Sequence, residues 1–226
     1  MNYTQLSSAI QAYTENTEAN FVAEIPVFVQ QTEQRIYNSV QFPSLRKNMT
    51  GVMQANNKYL SAPNDFLAVY SLAVIDATGS YEYLLNKDVN FMRQAYPQPT
   101  DTAIPKYYAL FGPTVTGGTI TNEISFILGP TPDSNYNVEL HYYYYPVSMT
   151  DTVNNPSGTS WLGDNFDSVL LYGSLVEAYT YMKGEQDMMQ LYNTKYMEAL
   201  ALAKRLGDGM ERQDAYRSGQ YRQQVG

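Results

Sequence analysis

Helical periodicity at the start of the chain predicts two amphipathic helices. The apolar residues of the first recur at the spacing of one helix face: Tyr3, Leu6, Ile10 and Tyr13. After a polar break at residues 15–18, a second stripe runs from Phe21 to Val40. Proline removes a backbone donor and clashes with the preceding turn, so Pro26 must lie in the first turn of the second helix or kink it.

From about residue 46 the apolar pattern changes to the short runs and two-residue alternation of strands. Strand-like runs occupy residues 49–55, 66–75, 81–85, 106–111, 120–128 and 136–145. The first three, separated by turn residues, predict a meander of hairpins. Residues 86–95 predict a short helix between the strands. The alternation is clearest over Tyr136–Tyr145, and both faces of that strand are aromatic from Tyr142 onward.

Helical periodicity returns after residue 160 and predicts an antiparallel helical hairpin. Asp164 is the expected N-cap of a helix that ends at Met182 and is apolar on two sides, which favours a central position or an interface. A second helix, residues 185–206, should stop at Gly207. Its expected buried stripe consists of Met188, Leu191, Tyr192, Ala199, Leu202 and Leu206.

Residues 208–226 have no stripe that could build a core. Tyrosine and arginine are scattered among polar residues, and both residue types are favoured as interface anchors. The candidate anchors are Arg212, Tyr216, Arg217, Tyr221 and Arg222.

Composition narrows the possible functions. The chain has 22 tyrosines, no cysteine and a net charge of −8. An acidic surface disfavours coating of nucleic acid, and the lack of cysteine excludes disulfides and thiolate chemistry. The start lacks the pattern of a cleaved signal, and no apolar run approaches the length of a membrane span, so we expect no membrane partner.

Candidate catalytic chemistry is sparse, and the residues predict no enzyme, metal or cofactor. His141 is the single histidine, and it lies in a tyrosine-rich strand without a nearby nucleophile motif. Two alternatives stay open. A glycan-binding module could use Tyr142, Tyr143, Tyr144 and Tyr145 for stacking. A peptidoglycan hydrolase could use Glu24 or Glu33 as its acid.

Eight segments resemble, in their order and spacing, the head-to-tail adaptor (connector) proteins of tailed bacteriophages, in the group similar to tail tubular protein A. They are residues 33–38, 64–67, 83–88, 105–109, 128–133, 141–146, 161–166 and 175–179. The resemblance implies an α+β fold: a bundle of N- and C-terminal helices (1–45 and 160–207), a β-rich insertion (46–159) and an extended C-terminal tail (208–226).

The resemblance also implies a structural virion protein at the head-tail junction, assembled in the host cytoplasm. Such a protein forms a closed homo-oligomeric ring of about twelve subunits. The ring joins the portal protein to the tail nozzle protein, with tail fibres as further partners, and DNA passes through without specific binding. By analogy, the tail reaches the portal, whereas Tyr142–Tyr145 would face the nozzle or a neighbouring subunit.

Overall fold

The structure, a computed structural model, describes residues 1–40, 42–116, 119–122 and 124–211. The described chain forms two compact units. A helical unit contains Met1–Leu45 and the chain from Tyr145 onward, and a β unit contains Arg46–Tyr144. The expected α+β class is therefore confirmed.

In chain order, the elements are α1 (Tyr3–Thr14), α2 (Ala19–Ser39), a 3₁₀ turn (Pro43–Leu45), β1 (Arg46–Met53), β2 (Tyr59–Ser61), β3 (Ala68–Ile75), β4 (Tyr81–Tyr83), β5 (Leu85–Asn86), α3 (Val89–Ala95), β6 (Tyr107–Phe111), β7 (Thr114–Thr116), β8 (Thr119–Asn122), β9 (Ser125–Gly129), β10 (Tyr136–Tyr143), α4 (Trp161–Asn165), α5 (Asp167–Met182) and α6 (Gln186–Glu211).

Both N-terminal helices form where the periodicity predicts them. A capping box starts α1: the Asn2 side chain accepts from the Gln5 N–H at 2.9 Å, and the Gln5 side chain accepts from the Asn2 N–H at 3.0 Å. Pro26 lies inside α2, beyond its first turn. The first-turn placement is therefore wrong, and the packing of the buried face of α2 offsets the missing backbone donor.

Helix α5 lies at the centre of the helical unit, where it contacts α1, α2, α4 and α6. The helix expected to end at Met182 forms as α5, but Asp164 is not its N-cap, because Asp164 lies within a separate short helix, α4. The Ser160 hydroxyl accepts from the Gly163 N–H at 3.0 Å and caps the short α4, in which Asp164 lies. Phe166 then leaves helical geometry with φ −140°, and α5 begins at the next residue.

Helix α6 extends to Glu211 and passes through Gly207, so the expected stop at Gly207 is wrong. Glycine costs a helix about 1 kcal/mol relative to alanine but does not forbid it. The buried face of α6 also differs from the expected stripe, and consists of Tyr192, Tyr196, Ala199, Leu200 and Ala203.

The β unit contains two four-stranded sheets, ordered β1-β10-β3-β4 and β2-β9-β6-β5. The predicted meander is wrong, because β10 lies between β1 and β3 and pairs antiparallel with both. The core face of β10 carries Val138, Leu140 and Tyr142. A strand with such a buried face suits the central position that β10 has in the sheet. Side chains of both sheets form one buried cluster.

Candidate interaction surfaces

The four tyrosines at 142–145 occupy different environments. Tyr142 is 1% exposed in the core of the β unit, and its hydroxyl donates to Asp65 at 2.8 Å. Burial raises the pKa of Tyr142, and the Asp65 carboxylate raises it further. Tyr142 is therefore part of the core within a single chain.

The other three tyrosines of this run are partly accessible but do not form one platform. The Tyr143 ring lies 5.6 Å from the Arg46 guanidinium carbon, and Tyr144 is half-buried. Tyr145 belongs to the helical unit, where its hydroxyl donates to Asn38. Alternation sends successive side chains to opposite faces of a strand, so neighbours in sequence are separated in space.

Other tyrosines of the first sheet are exposed. Tyr70, Tyr81 and Tyr83 are large exposed side chains, Tyr83 with 64% of its surface accessible. Arg46 lies between two rings, with its guanidinium carbon 4.6 Å from the centre of the Tyr70 ring. Strand register places Tyr81 and Tyr83 toward the Ile75 end of the first sheet and Tyr143 at its Ala68 end. We refer to Tyr70, Tyr81, Tyr83 and Tyr143, with Arg46, collectively as the tyrosine surface. Which tyrosines are exposed depends on strand pairing, which local periodicity does not reveal.

His141 lies between two polar neighbours on the first sheet. The Ser71 hydroxyl is 3.1 Å from Nδ1, and Glu139 Oε1 is 4.0 Å from Nε2. Strand register explains why these side chains are close. Ser71 pairs with His141, and Glu139 precedes His141 by two residues on the same strand. The Glu139 distance is too long for a hydrogen bond. The arrangement is cross-strand packing of polar side chains.

Glu33, one of the two acids considered for hydrolysis, is buried in the helical unit with 2% of its surface exposed. Its carboxylate accepts from the Ser148 hydroxyl at 2.5 Å and from the Met149 N–H at 3.2 Å. Burial raises the pKa of Glu33, and the two hydrogen bonds partly oppose that shift. These contacts tie α2 to the segment that follows the β unit. Glu24 is half-buried on the same helix.

Helix α6 exposes three leucines on one side, beside its buried face. Leu191, Leu202 and Leu206 are exposed, Leu202 by 62%, and helical spacing places them on one side of the helix. Lys195 and Glu198 lie between them and form an ion pair at 3.3 Å. We call these three leucines the α6 stripe. Three of the residues expected to be buried in α6 are thus on its surface.

The described part of the chain contains neither a candidate membrane span nor a candidate metal site. None of its helices combines the length and apolarity needed to cross a bilayer. Across the same residues, His, Asp and Glu side chains do not gather in threes that could hold an ion. The predicted portal contacts Arg212, Tyr216, Arg217, Tyr221 and Arg222 lie outside the described residues.

Exposed apolar and aromatic surfaces on both units are typical of a protein that acts by binding other proteins. The chain belongs to the SU10 adaptor protein family, whose model matches residues 1–223. It is therefore a bacteriophage adaptor, a structural protein of the virion, as the resemblance predicted. No curated protein matches the chain significantly. The closer likeness to tail tubular protein A stays a prediction.

Proposed function

We propose that this adaptor forms a closed homo-oligomeric ring at the head-tail junction, joining the portal protein to the tail nozzle and leaving a channel for DNA. The observation that carries the proposal is the family match over residues 1–223. A ring places each subunit between two identical neighbours through a heterologous contact. Assembly of this kind takes place in the host cytoplasm before the virion is complete.

The exposed surfaces support assembly. Monomeric soluble proteins rarely leave large apolar patches uncovered. Both the α6 stripe and the tyrosine surface are exposed in the single chain, on different units. We assign the α6 stripe to contacts between subunits. The tyrosine surface is offered to a neighbouring subunit, the nozzle or the tail fibres, because tyrosine and arginine are frequent anchors in interfaces.

We assign the portal contact to residues 208–226. The support comes from sequence: tyrosines and arginines stand in a segment without a core-forming stripe. The first residues of this segment continue α6 to Glu211, so the contact would begin at the end of a helix. Arg212, Tyr216, Arg217, Tyr221 and Arg222 are the proposed anchors.

The net charge of −8 suits a channel for DNA. Carboxylates repel phosphates, and a lumen without clustered cations gives DNA no strong binding site. DNA would then slide through the ring without specific contacts.

The mass of the purified protein, alone and mixed with portal rings, tests the proposal. Native mass spectrometry should show closed oligomers of the adaptor on the portal. A chain that stays monomeric in both conditions would contradict the ring and the portal contact together.

One observation favours a second candidate, a glycan-binding module. The exposed tyrosines of the β unit could stack on sugar rings and donate hydroxyl hydrogen bonds. A glycan array tests this candidate, and binding lost on Tyr83→Ala would support it.

A further inference from the structure

A cleft of about 270 Å³ lies in the β unit between α3 and the second sheet. Its walls combine polar and apolar surface, with Met92, Tyr96, Tyr59, Phe111 and Ile127 among the lining residues. Helix α3 contacts both β6 and β9, so the walls belong to packed elements. The cleft is preformed in the single chain.

Two cations, Lys58 and Arg93, line this cleft. The Lys58 ammonium is 5.3 Å from the centre of the Tyr59 ring, and the Arg93 guanidinium carbon is 5.9 Å from that of Phe111. Aromatic faces attract these cations but do not neutralise them.

Neither cation forms an ion pair with an acid of the described chain. Lys47, in the same unit, shows the contrast, since its ammonium lies 2.7 Å from the Asp65 carboxylate. Half-buried Lys58 and exposed Arg93 therefore border the same cleft without an acidic partner among the described residues. Charge complementarity calls for a carboxylate, and the apolar part of the walls calls for an aromatic or aliphatic group beside it.

We propose that this cleft binds an acidic peptide segment of another tail protein, with a Glu or Asp next to an aromatic or aliphatic residue. The carboxylate lies between Lys58 and Arg93, and the apolar side chain packs on Met92 and Phe111. A nucleic acid is a poorer match, because a strand needs a basic groove that follows its backbone. The proposal rests on the adaptor function and assigns a site to one of its partners.

A capped Glu-Phe dipeptide and its Gln-Phe counterpart are the probes, titrated into the isotope-labelled full chain and followed by NMR. Glu-Phe should shift the amide signals of α3 and β9. Because Gln-Phe keeps the shape but lacks the charge, it should bind about tenfold more weakly or not at all. Equal binding of the two dipeptides, or shifts elsewhere only, would overturn the proposal.

Two double variants distinguish the loss of the cleft cations from a general loss of positive charge. Lys58→Gln with Arg93→Gln should abolish the Glu-Phe shifts. The matched control, Lys87→Gln with Lys106→Gln, removes the same charge from exposed positions of the same unit and should bind Glu-Phe normally. If a thymidine oligonucleotide shifts the cleft signals and Glu-Phe does not, the site serves nucleic acid and the proposal is wrong.

The same cleft variant distinguishes this proposal from the adaptor function. It should still form rings on the portal, because the cleft is not assigned to either of those contacts. Wild-type protein that binds Glu-Phe but never assembles on the portal would contradict the adaptor proposal. Wild-type protein that assembles on the portal but ignores Glu-Phe would contradict the cleft alone.

Discussion

At the scale of single residues, Glu33 is a buried acid held by two hydrogen bonds within the helical unit. Desolvation raises its pKa above the 4.5 of an ordinary glutamate. At pH values between 4.5 and the raised pKa of the folded state, the folded protein binds more protons than the unfolded chain. The contribution of Glu33 to stability is therefore greatest below pH 4.5 and falls as pH rises through the raised pKa.

Glu33→Gln should remove this pH dependence while keeping the shape of the side chain. Relative to wild type, we expect the variant to become more stable as pH rises from about 4 to about 7, because the wild type loses the contribution of the protonated Glu33 over this range. Urea unfolding at both pH values measures the change. Glu24→Gln, on the same helix, is the control for loss of a carboxylate. A stability difference that does not vary with pH would contradict this account of Glu33.

The tyrosines show how far residue composition predicts the role of single residues. Their number predicted roles both in the core and on binding surfaces, and Tyr70, Tyr81 and Tyr83 are exposed. Their positions in sequence did not show which of them are accessible. Tyr142 is buried in the core cluster of the β unit, and its burial depends on residues far away in the chain.

At the scale of elements, close packing around α5 depends on Gly173. A Cβ at this position would collide with the Thr32 methyl group of α2 and would lie 3.0 Å from the Tyr196 ring of α6. Thr32 and Tyr196 are themselves buried, so they have little room to move. The missing side chain thus allows α5 to approach two helices at once.

Gly173→Ala should destabilise the protein by about 1–3 kcal/mol through overpacking, despite the better helix propensity of alanine. Chemical denaturation measures the loss. Gly112→Ala is the control for an added methyl group, because a Cβ at Gly112 meets no atom of the described residues within 4 Å. Equal stability of the two variants would show that the helices adjust to the added methyl group.

The α6 stripe gives a prediction about assembly. Leu202→Gln should change the stability of the single chain by no more than about 0.5 kcal/mol, since Leu202 is exposed. Ring formation should weaken about tenfold if the stripe is covered by a neighbouring subunit. Sedimentation across a concentration series measures the association.

Met197→Gln is the control for the α6 stripe. Met197 is also exposed on α6 but lies about 140° around the helix from Leu202. It should assemble like wild type. Equal weakening by both substitutions would argue for a general effect of lost apolar surface, and not for a contact through the stripe.

At the scale of the whole molecule, the portal contact should be separable from the fold. A chain ending at Glu211 keeps all the described elements and removes all five proposed anchors. It should still unfold cooperatively and lose portal binding by at least about 30-fold, the loss of a hot-spot contact. Surface plasmon resonance on immobilised portal rings measures the affinity.

The tail anchors themselves need a matched comparison. Tyr216→Ala with Tyr221→Ala should weaken portal binding strongly, whereas Gln223→Ala with Gln224→Ala should not, because glutamine is a poor anchor. Unchanged affinity of the shortened chain would place the portal contact elsewhere in the molecule.

The sequence by itself determined most helices and strands of this protein, its acidic charge and its family. These properties arise from local spacing and composition, as the alternation of Tyr136–Tyr145 and the stripe of α1 show. Only the tertiary structure decided that β10 lies between β1 and β3, that Glu33 is buried and that the α6 stripe is exposed. The reason is physical: pairing and burial depend on partners distant in the chain, and local periodicity shows that a face is apolar without showing what covers it.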